Sequence, residues 1–414
     1  MSHYPCLAAL RHDALCGLAT TLVLTSGAFA ADFKVLQPLG EQPIRMKGGG
    51  YYVPTTPETA RWGSLPNADS KPVLSVPSGS MVTFDTVSHE GILEDQGKDP
   101  VKYFGQFGIA PEQVLKDAQA IAASSLEHDF VKDGPHVVTG PVGIEGAKAG
   151  DVLMVEMIAL QPRVPYGIIS NRHGKGALPG EFPENKGPQP GADAAHPELY
   201  ANVSTFCPIV KSGGRWYGIV KPLAGPQARI PLRPFNGTMG VAVNTQNKPN
   251  SIPPGEYGGN LDVNELGVGA TLYIPVQVDG ALFYAADPHF AQGDGEVALT
   301  AIEGSLRSTF RLTVLKAGDP RLPMKAPMKN PFAETKDFWI PIGLNPSLDD
   351  AMKDATRQAI QFLNEKLGMD RAAAMAYLSA AADFQVTQVV DRVKGVNAMI
   401  RKADFREAAK SAVR

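Results

Sequence analysis

The segment from Lys148 to Met157 reads KAGDVLMVEM, and its pattern decides the predicted fold. A turn that contains a glycine comes first, and a short apolar run follows it. The same order recurs before Met81–Val87 and before Thr271–Val276. Short, β-branched runs that are bounded by turn residues are typical of β-strands. The repetition has no fixed period, so it indicates repeated hairpin chemistry and a turn-rich β protein.

Other segments extend this prediction along the chain. Pro111–Ala123 is predicted to be a helix, because proline favours the first helical turn and the apolar residues share one face. Residues 161–200 and 244–265 are predicted to be long functional loops. The remaining strand candidates are Val73–Val76, Val152–Leu160, Trp216–Val220, Met239–Val243, Thr271–Val278, Glu296–Glu303 and Ser308–Leu315.

The C-terminal part has a different character. Ser347 is predicted to cap a helix that runs through Leu367, and Arg371–Ala382 is predicted to be a second helix. Gln385–Val393 fits either a strand or a helix. The fold class is therefore α+β, with a β-sandwich or barrel-like body and helices at the C-terminal end. We expect a signal peptide at 1–30, a β-rich catalytic body at 31–345, and a helical segment at 346–414 that packs on the same domain.

The first thirty residues resemble a secretory signal. A weakly basic start precedes the apolar run Ala14–Leu24, and Ala28–Ala30 has the A-x-A pattern of a cleavage site. The run is too short to span a bilayer, although an uncleaved anchor is the alternative. We therefore expect a periplasmic or secreted protein with no membrane attachment after cleavage. The mature chain would keep one cysteine, Cys207, in an apolar setting that predicts a buried thiol.

The chain's charge excludes one large class of partner. Its formal net charge is −3, and no basic stripe or block of like charge is present. A nucleic-acid partner is therefore not expected.

The densest group of reactive side chains lies between Ala286 and Glu296. These eleven residues hold three carboxylates, one imidazole and one carboxamide. Pro288 and the glycines at 293 and 295 are predicted to fold them into a tight turn at the rim of a sheet. Carboxylates with imidazole are a typical ligand set for zinc or a similar divalent ion. A solvated turn, with or without a calcium-like structural site, is the alternative. The group consists of Asp287, His289, Gln292, Asp294 and Glu296.

Two further segments have the composition of a site. Ser170–Phe182 combines close glycines with Arg172 and Lys175, which could hold an anion or an acyl oxygen, although a basic surface loop is equally consistent. Pro253–Asp262 contains paired glycines that allow close backbone packing, and Asp262 is a possible metal ligand. A plain turn is its alternative.

The other histidines differ in their surroundings. His136 lies between turn residues before a strand, where a hydrogen-bonded structural role is the alternative to a ligand. His89 and Glu90 end the strand Met81–Val87, and adjacent strand residues are expected to point to opposite faces. His128 and His196 have no reactive neighbours and are predicted to lie on the surface. No G-x-S-x-G, H-E-x-x-H or early G-x-G-x-x-G motif is present, which leaves metal-assisted hydrolysis as the predicted chemistry.

Taken in order, these segments resemble the acetamidase/formamidase family. The resemblance implies hydrolysis of formamide, acetamide or related short amides, a β/β/α fold, zinc with calcium in some members, and dimers or larger oligomers. Val87–Gly91 resembles an exported subgroup, whereas Tyr257 stands where family members commonly have histidine. The segments that carry the resemblance are His136–Val142, Glu145–Ala147, Gly150–Leu153, Ser170–Phe182, Pro234–Val241, Pro253–Asp262, Gly280–Phe283, and Asp287–Glu296 with Glu303.

The resulting hypothesis is a metal-dependent amidase. His289 and Asp287 would hold a divalent ion, zinc or alternatively calcium. Asp262, His136 or His89 would complete the ligand shell, and Glu296 or Glu303 could replace Asp262. Lys175 or a backbone amide of a glycine-rich segment would stabilise the oxyanion, and Asp294 or Glu296 would carry the proton. The predicted substrate contacts are His173, Gly174, Asn260, Gln292 and Tyr257.

Two other functions stay open at this point. One is a periplasmic ligand-binding protein that carries a structural divalent metal on the same β scaffold and has no catalytic activity. The other is an amidohydrolase with the same site that acts on a larger amide. Fold alone does not decide between them.

Overall fold

The computed structural model describes residues 33–325 and 327–405. The predicted signal and its cleavage site lie outside the described residues. Within those residues, no helix is long and apolar enough to cross a membrane.

Strands dominate the described chain. The strands are β1 Ile44–Arg45, β2 Tyr51–Val53, β3 Ala60–Trp62, β4 Leu74–Val76, β5 Ser80–Thr86, β6 Val137–Ile144, β7 Val152–Pro162, β8 Tyr166–Asn171, β9 Val203–Ser212, β10 Arg215–Val220, β11 Ala228–Pro231, β12 Phe235–Gly240, β13 Gly258–Asn260, β14 Thr271–Pro275, β15 Phe283–Ala291, β16 Ile302–Glu303, β17 Leu306–Leu315, β18 Phe332–Glu334, β19 Phe338–Asn345, β20 Asp383–Val386 and β21 Lys394–Arg401. The α-helices are α1 Pro100–Gly105, α2 Lys116–Ala123, α3 Leu348–Leu367 and α4 Arg371–Ala381. Short 3₁₀ helices cover Glu94–Gln96, Pro111–Gln113, Pro197–Tyr200 and Lys402–Phe405.

The strands form two large sheets. One has ten strands in the order β1-β2-β5-β17-β7-β14-β18-β19-β21-β20. The other has eleven strands, of which eight follow the order β11-β10-β9-β8-β16-β15-β12-β13, while β6 pairs with β15 and joins β3 and β4. Among the described residues, neither sheet closes into a barrel. Of the two predicted forms of the β body, the structure therefore has the sandwich.

The opening segment of sequence shows how the layers stack. Along β7, Leu153 and Val155 pack in a core that also contains residues of the second sheet, whereas Val152 and Met154 pack in a core shared with the C-terminal helices. Successive side chains of a strand point to opposite faces, so both faces of this sheet are covered. The architecture is therefore sheet on sheet on helices, which the resemblance implied.

The C-terminal helices cover the outer face of the ten-stranded sheet. Ser347 caps α3, because its hydroxyl accepts a hydrogen bond from the backbone N–H of Asp350 at 3.3 Å. Gly368 ends α3 in the left-handed conformation, with φ at 70°. Gly343 of β19 lets α3 approach closely, since a Cβ there would lie 2.2 Å from the carbonyl oxygen of Ala351. The predicted cap and the end of α3 at Leu367 are confirmed.

Four local predictions were wrong or incomplete. The predicted helix Pro111–Ala123 breaks after a 3₁₀ turn, because Val114 and Leu115 have extended backbone. The predicted strand Glu296–Glu303 keeps only β16, since positive φ angles at Glu296 and Leu299 are incompatible with a strand. The predicted loop 161–200 contains β8. Gln385–Val393 is a strand only as far as Val386, and a loop follows.

Candidate metal centre and its cavity

The strand β15 carries the centre of the site. All nine of its residues are buried, and Asp287, Pro288 and His289 lie within the strand. The prediction that these residues form a turn at the rim of a sheet was therefore wrong. The backbone of Asp287 is nevertheless irregular, with φ at 52°, and the pairing with β16 shifts register between His289 and Ala291. The interruption of the ladder directs two polar side chains into the interior.

A glycine on the neighbouring strand leaves room for these side chains. A Cβ at Gly237 of β12 would lie 2.3 Å from Oδ1 of Asp262, 2.7 Å from Oδ2 of Asp287 and 2.7 Å from Cε1 of His289. Contacts below 3.0 Å require the neighbours to move. The three polar groups therefore converge on the space that this glycine leaves open.

Eight histidines and carboxylates form one buried cluster. They fall into four overlapping groups of three, and within each group the potential ligand atoms lie within 4.8 Å of one another. Oδ1 of Asp287 lies 3.6 Å from Nδ1 of His89 and 3.7 Å from Nε2 of His136, whereas its Oδ2 lies 3.1 Å from Nε2 of His289. The cluster consists of His89, His136, Asp262, Asp287, His289, Glu296, Glu303 and Asp391.

Several polar atoms of this cluster have no hydrogen-bond partner among the described residues. Both carboxylate oxygens of Asp262 are in this position, although its side chain is fully buried. An unpaired buried polar atom is strongly unfavourable, and unpaired carboxylate oxygens are more so. The others are His89 Nδ1, Asp287 Oδ1, His289 Nε2, Glu303 Oε2 and Asp391 Oδ2.

The pKa values of the carboxyl groups in the cluster indicate an excess of buried negative charge. Burial and the neighbouring Asp287 raise the pKa of Asp262 from 3.8 to about 7. Burial and Asp262 raise the pKa values of Glu296 and Asp391 well above their usual range. Burial disfavours ionisation of Asp287 too, but His289 and His136 outweigh it and lower its pKa. The protein alone does not supply enough positive charge for five buried carboxylates.

His289 is held in a defined orientation by Gln292. The amide nitrogen of Gln292 donates hydrogen bonds to the backbone carbonyls of Asp262 and Thr387, each at 3.0 Å. Its oxygen therefore faces Nδ1 of His289, at 3.1 Å, and accepts a hydrogen bond from that nitrogen. The other ring nitrogen, Nε2, lies 3.1 Å from carboxylate oxygens of Asp287 and of Glu303. Burial disfavours a charged imidazole, but Glu303 and Asp287 outweigh it and raise the pKa of His289 well above its usual value, so Nε2 holds a proton that a bound metal ion would replace. Gln292 keeps the remaining proton on Nδ1. Such a partner fixes the tautomer that a metal-binding imidazole needs.

His89 has an equivalent support. Its Nε2 lies 3.4 Å from Oε1 of Glu90, and Arg172 donates a hydrogen bond to the same oxygen at 2.9 Å. Arg172 also donates to Asp95 at 2.6 Å. His89 and Glu90 lie beyond the end of β5 in a loop, so strand alternation does not decide which way their side chains point.

A cavity of about 330 Å³ opens onto the cluster. Six of the eight cluster residues line it, whereas Asp262 and His289 are not part of its wall. Lys175, His173 and Asn260, which the sequence analysis proposed for catalysis or substrate contact, also line this cavity. The exposed Lys175 ammonium has no ion pair in the part of the chain that the structure describes.

Besides Asp262 and His289, four other proposed residues are absent from the cavity wall. Asp294 lines a different depression and accepts a hydrogen bond from Asn264 at 2.8 Å. The amide of Gln292 is engaged with His289 and two carbonyls. The Tyr257 hydroxyl donates to the carbonyl of Pro253, and the ring packs on the core. Gly174 adjoins two lining residues but is not itself part of the wall.

Other side chains of the site were missed or misplaced by the sequence analysis. Asp391 was not singled out, because it stands alone in a segment of ambiguous pattern, about 100 residues after Asp287. Arg172 was expected to hold an anionic ligand, but it is paired with Glu90 and Asp95. His128 was expected on the surface, yet its side chain is 1% exposed and stacks on Trp62 with ring centroids 4.4 Å apart. His196 is exposed, as expected.

A comparison with protein families confirms the resemblance found in the sequence. A family model described as the Acetamidase/Formamidase family matches residues 231–401. This range includes Asp262, Asp287, His289 and three other cluster residues, whereas His89 and His136 precede it.

Individual relatives agree with this match. A provisionally named formamidase of Schizosaccharomyces pombe is 30% identical over 238 residues, which cover 47% of this chain and 56% of the relative. A protein of Methylophilus methylotrophus named formamidase is 26% identical over 310 residues, which cover 62% of this chain and 73% of the relative. The chain thus spans little more than half the length of the yeast relative.

A solved structure extends the likeness to the whole fold. The crystal structure of an acetamidase of Bacillus halodurans superposes with a TM-score of 0.63 at 24% identity, over 86% of this chain and 99% of that chain. At this identity the superposition establishes the shared fold, and the activity has to be argued from the site.

Proposed function

We propose that this chain is a metal-dependent amidase that hydrolyses an amide to a carboxylate and ammonia. The observation that carries the proposal is the buried cluster of three imidazoles and five carboxylates with unpaired oxygens, at the end of a cavity that reaches it. The resemblance to proteins named acetamidase and formamidase supports the class of substrate.

The residues of the cluster fit a divalent cation. A cation would satisfy the unpaired oxygens of Asp262 and would compensate the negative charge that raises its pKa. The group His89, His136 and Asp287 offers nitrogen and oxygen donors, which suit zinc. The group Asp262, Glu296 and Asp391 offers only carboxylate oxygens, which also suit a harder ion such as calcium. When bound, the ion would supply Lewis acidity that polarises an amide carbonyl and makes water more acidic.

The protein's own groups would position and neutralise the reactants. Lys175 lies on the cavity wall and has no ion pair within residues 33–325 and 327–405, so its ammonium is available to the oxyanion that develops when water adds to the carbonyl carbon. Asn260 adds an amide to the same wall, although its Oδ1 accepts a hydrogen bond from Thr238 at 2.5 Å.

Glu296 is the best placed group for proton transfer. It lies in the wall of the cavity and in the cluster, and burial together with Asp262 raises its pKa well above its usual range. A carboxyl group of raised pKa can accept a proton from the attacking water and return it to the departing nitrogen. The C–N bond breaks as the nitrogen receives that proton, and ammonia leaves from a primary amide.

A pair of variants tests this assignment. The proton-transfer role predicts that Glu296→Gln lowers kcat by about 10²–10⁴-fold, while Asp294→Asn, two residues away but outside the cavity, stays close to the wild type. Ammonia release from formamide, acetamide and propionamide in the presence of zinc would measure both. Loss of turnover in Asp294→Asn alone would instead assign the proton transfer to Asp294.

Export and assembly remain parts of the proposal. The A-x-A pattern at Ala28–Ala30 supports a mature chain that begins at Ala31 and functions in the periplasm or outside the cell. The family resemblance supports a dimer or larger homo-oligomer. The intact mass of the protein from the periplasmic fraction and its mass in light scattering would test these two points.

A further inference from the structure

We infer that the preferred substrate is a primary amide whose acyl group is large and apolar, best an aromatic one. This inference rests on the proposed amidase function and names the substrate class of the same site. It comes from the size and the walls of the cavity, which extend well beyond the metal-binding cluster.

The cavity is too large for a short amide. Its volume is about 330 Å³, whereas a water molecule occupies roughly 30 Å³ in the liquid. The cavity therefore offers the space of roughly ten water molecules, while acetamide is only a few times larger than one. Pockets that bury most of a medium-sized organic ligand begin at roughly 300 Å³.

The part of the wall beyond the cluster is apolar. Leu93 is buried there, and five half-buried apolar or aromatic side chains continue the surface: Phe130, Tyr200, Ile252, Leu299 and Val390. Covering apolar surface with an apolar group is favourable, in proportion to the area removed from water.

Two rings in this wall suit an aromatic acyl group. Phe130 and Tyr200 meet edge to face, with ring centroids 5.4 Å apart and ring planes at 71°. A third ring can join such a pair in the offset or edge-to-face arrangements that aromatic groups prefer.

Part of the charge in the wall is already paired, whereas Lys175 and the exposed Arg392 have no ion pair among the described residues, so an acyl group that carries a carboxylate is the alternative for the test to compare. Arg172 donates a hydrogen bond to Asp95 at 2.6 Å, and Asn202 donates to the same carboxylate at 2.9 Å. These side chains are engaged with one another, in addition to the contact between Arg172 and Glu90. The balanced reaction for the inferred substrate is R–CO–NH₂ with water giving R–COOH and NH₃, in which R is the apolar group that covers this wall.

The test compares three amides on the zinc-loaded full chain: acetamide, phenylacetamide and succinamate. We expect kcat/KM for phenylacetamide to exceed that for acetamide by at least about tenfold, because an apolar pocket discriminates by roughly 10–200-fold for each methylene group. A ratio of one or less, or a higher kcat/KM for succinamate, would overturn the inference. Hydrolysis of none of the amides under any metal would instead overturn the proposed function.

Variants of the cavity wall provide the second measurement. Ile252→Trp should fill the apolar end and lower the ratio of kcat/KM for phenylacetamide to that for acetamide at least about tenfold. Ile158→Trp is the matched control, because Ile158 is an exposed residue of β7 outside this cavity, and its ratio should stay at the wild-type value. Phe130→Ala, which removes one ring without filling the cavity, should lower the same ratio. Folded variants of Ile252 and Phe130 that both keep the wild-type ratio would refute the inference.

Discussion

The side-chain oxygen of Gln292 accepts a hydrogen bond from Nδ1 of His289, at 3.1 Å, three residues earlier in the chain. The amide nitrogen of Gln292 donates hydrogen bonds to two backbone carbonyls, so a 180° rotation of the amide group would break both of them. Nδ1 of His289 therefore keeps its proton, and Nε2 is the ring nitrogen directed at the carboxylates of the cluster, where a metal ion would replace its proton.

This arrangement predicts a loss of metal affinity in Gln292→Met. Methionine fills similar space but cannot accept the hydrogen bond from Nδ1, and loss of such a support typically lowers metal affinity about 10–100-fold. Competition with a chromophoric zinc chelator would measure the affinity. Gln161→Met, which changes an exposed glutamine of β7, is the control and should bind zinc like the wild type. Unchanged affinity in Gln292→Met would contradict the supporting role.

Gly237→Ala should disrupt the same centre from the neighbouring strand. The added Cβ would meet side-chain atoms of Asp262, Asp287 and His289 at 2.3–2.7 Å, so these groups must move apart. We expect the purified variant to contain much less than the wild-type amount of zinc, as measured by elemental analysis. Gly267→Ala is a suitable control, because the nearest atom to its added Cβ is 3.9 Å away. Full zinc occupancy in Gly237→Ala would show that the ligands do not need this space.

Arg172 should matter for stability more than a surface arginine does. Its replacement by alanine leaves Glu90 and Asp95 buried without their cation, and breaking a buried ion pair in this way costs about 3–5 kcal/mol. Urea unfolding would measure the loss in free energy of unfolding. Arg321→Ala removes an exposed ion pair with Asp319 and should change that free energy little. Similar losses in the two variants would argue against the buried network.

The raised pKa of Asp262 predicts that the free energy of unfolding depends on pH when a chelator has removed the metal. Between its usual value of 3.8 and about 7, folded Asp262 keeps a proton that the unfolded chain releases, so its contribution to stability falls as pH rises through that window. His136, whose pKa burial lowers to about 4, acts in the opposite direction, so wild type and variant must be compared at each pH.

The comparison uses Asp262→Asn, which cannot ionise. Relative to the wild type in chelator, the free energy of unfolding of this variant should increase from pH 4 to pH 7, on the order of 1 kcal/mol per pH unit. Urea unfolding at a series of pH values would measure it. A difference that stays constant over this range would mean that Asp262 is not buried as a neutral acid in the metal-free protein.

Local patterns made most of the fold predictable. The turn glycine before Val152–Met157 and the cap at Ser347 both act within a few residues, so the sequence displays them directly. The predicted strand Glu296–Glu303 failed because its β-strand composition did not reveal the positive φ angles at Glu296 and Leu299. Those angles depend on how the segment packs around the cluster.

The side chains of the buried cluster were predictable by type but not by arrangement. The five proposed ligands, His89, His136, Asp262, Asp287 and His289, all come together in the structure. Asp391 and the support of His89 by Glu90 depend on contacts between distant segments, which one sequence does not display. Gly237 belongs to the segment Pro234–Val241, which carries part of the family resemblance. The structure is needed to see that the absence of a side chain at Gly237 leaves room for Asp262, Asp287 and His289.

The most direct test of the account is a zinc titration of the chelated full chain, with zinc binding and ammonia release from phenylacetamide and acetamide measured on the same samples. The account predicts no release without metal, recovery of activity in proportion to bound zinc, and neither binding nor activity in Asp287→Asn. Ammonia release by the chelator-treated protein at the rate of the zinc-loaded protein would contradict the metal-dependent mechanism. Zinc binding by a folded protein that releases no ammonia from any amide would leave a metal-binding protein without the proposed activity.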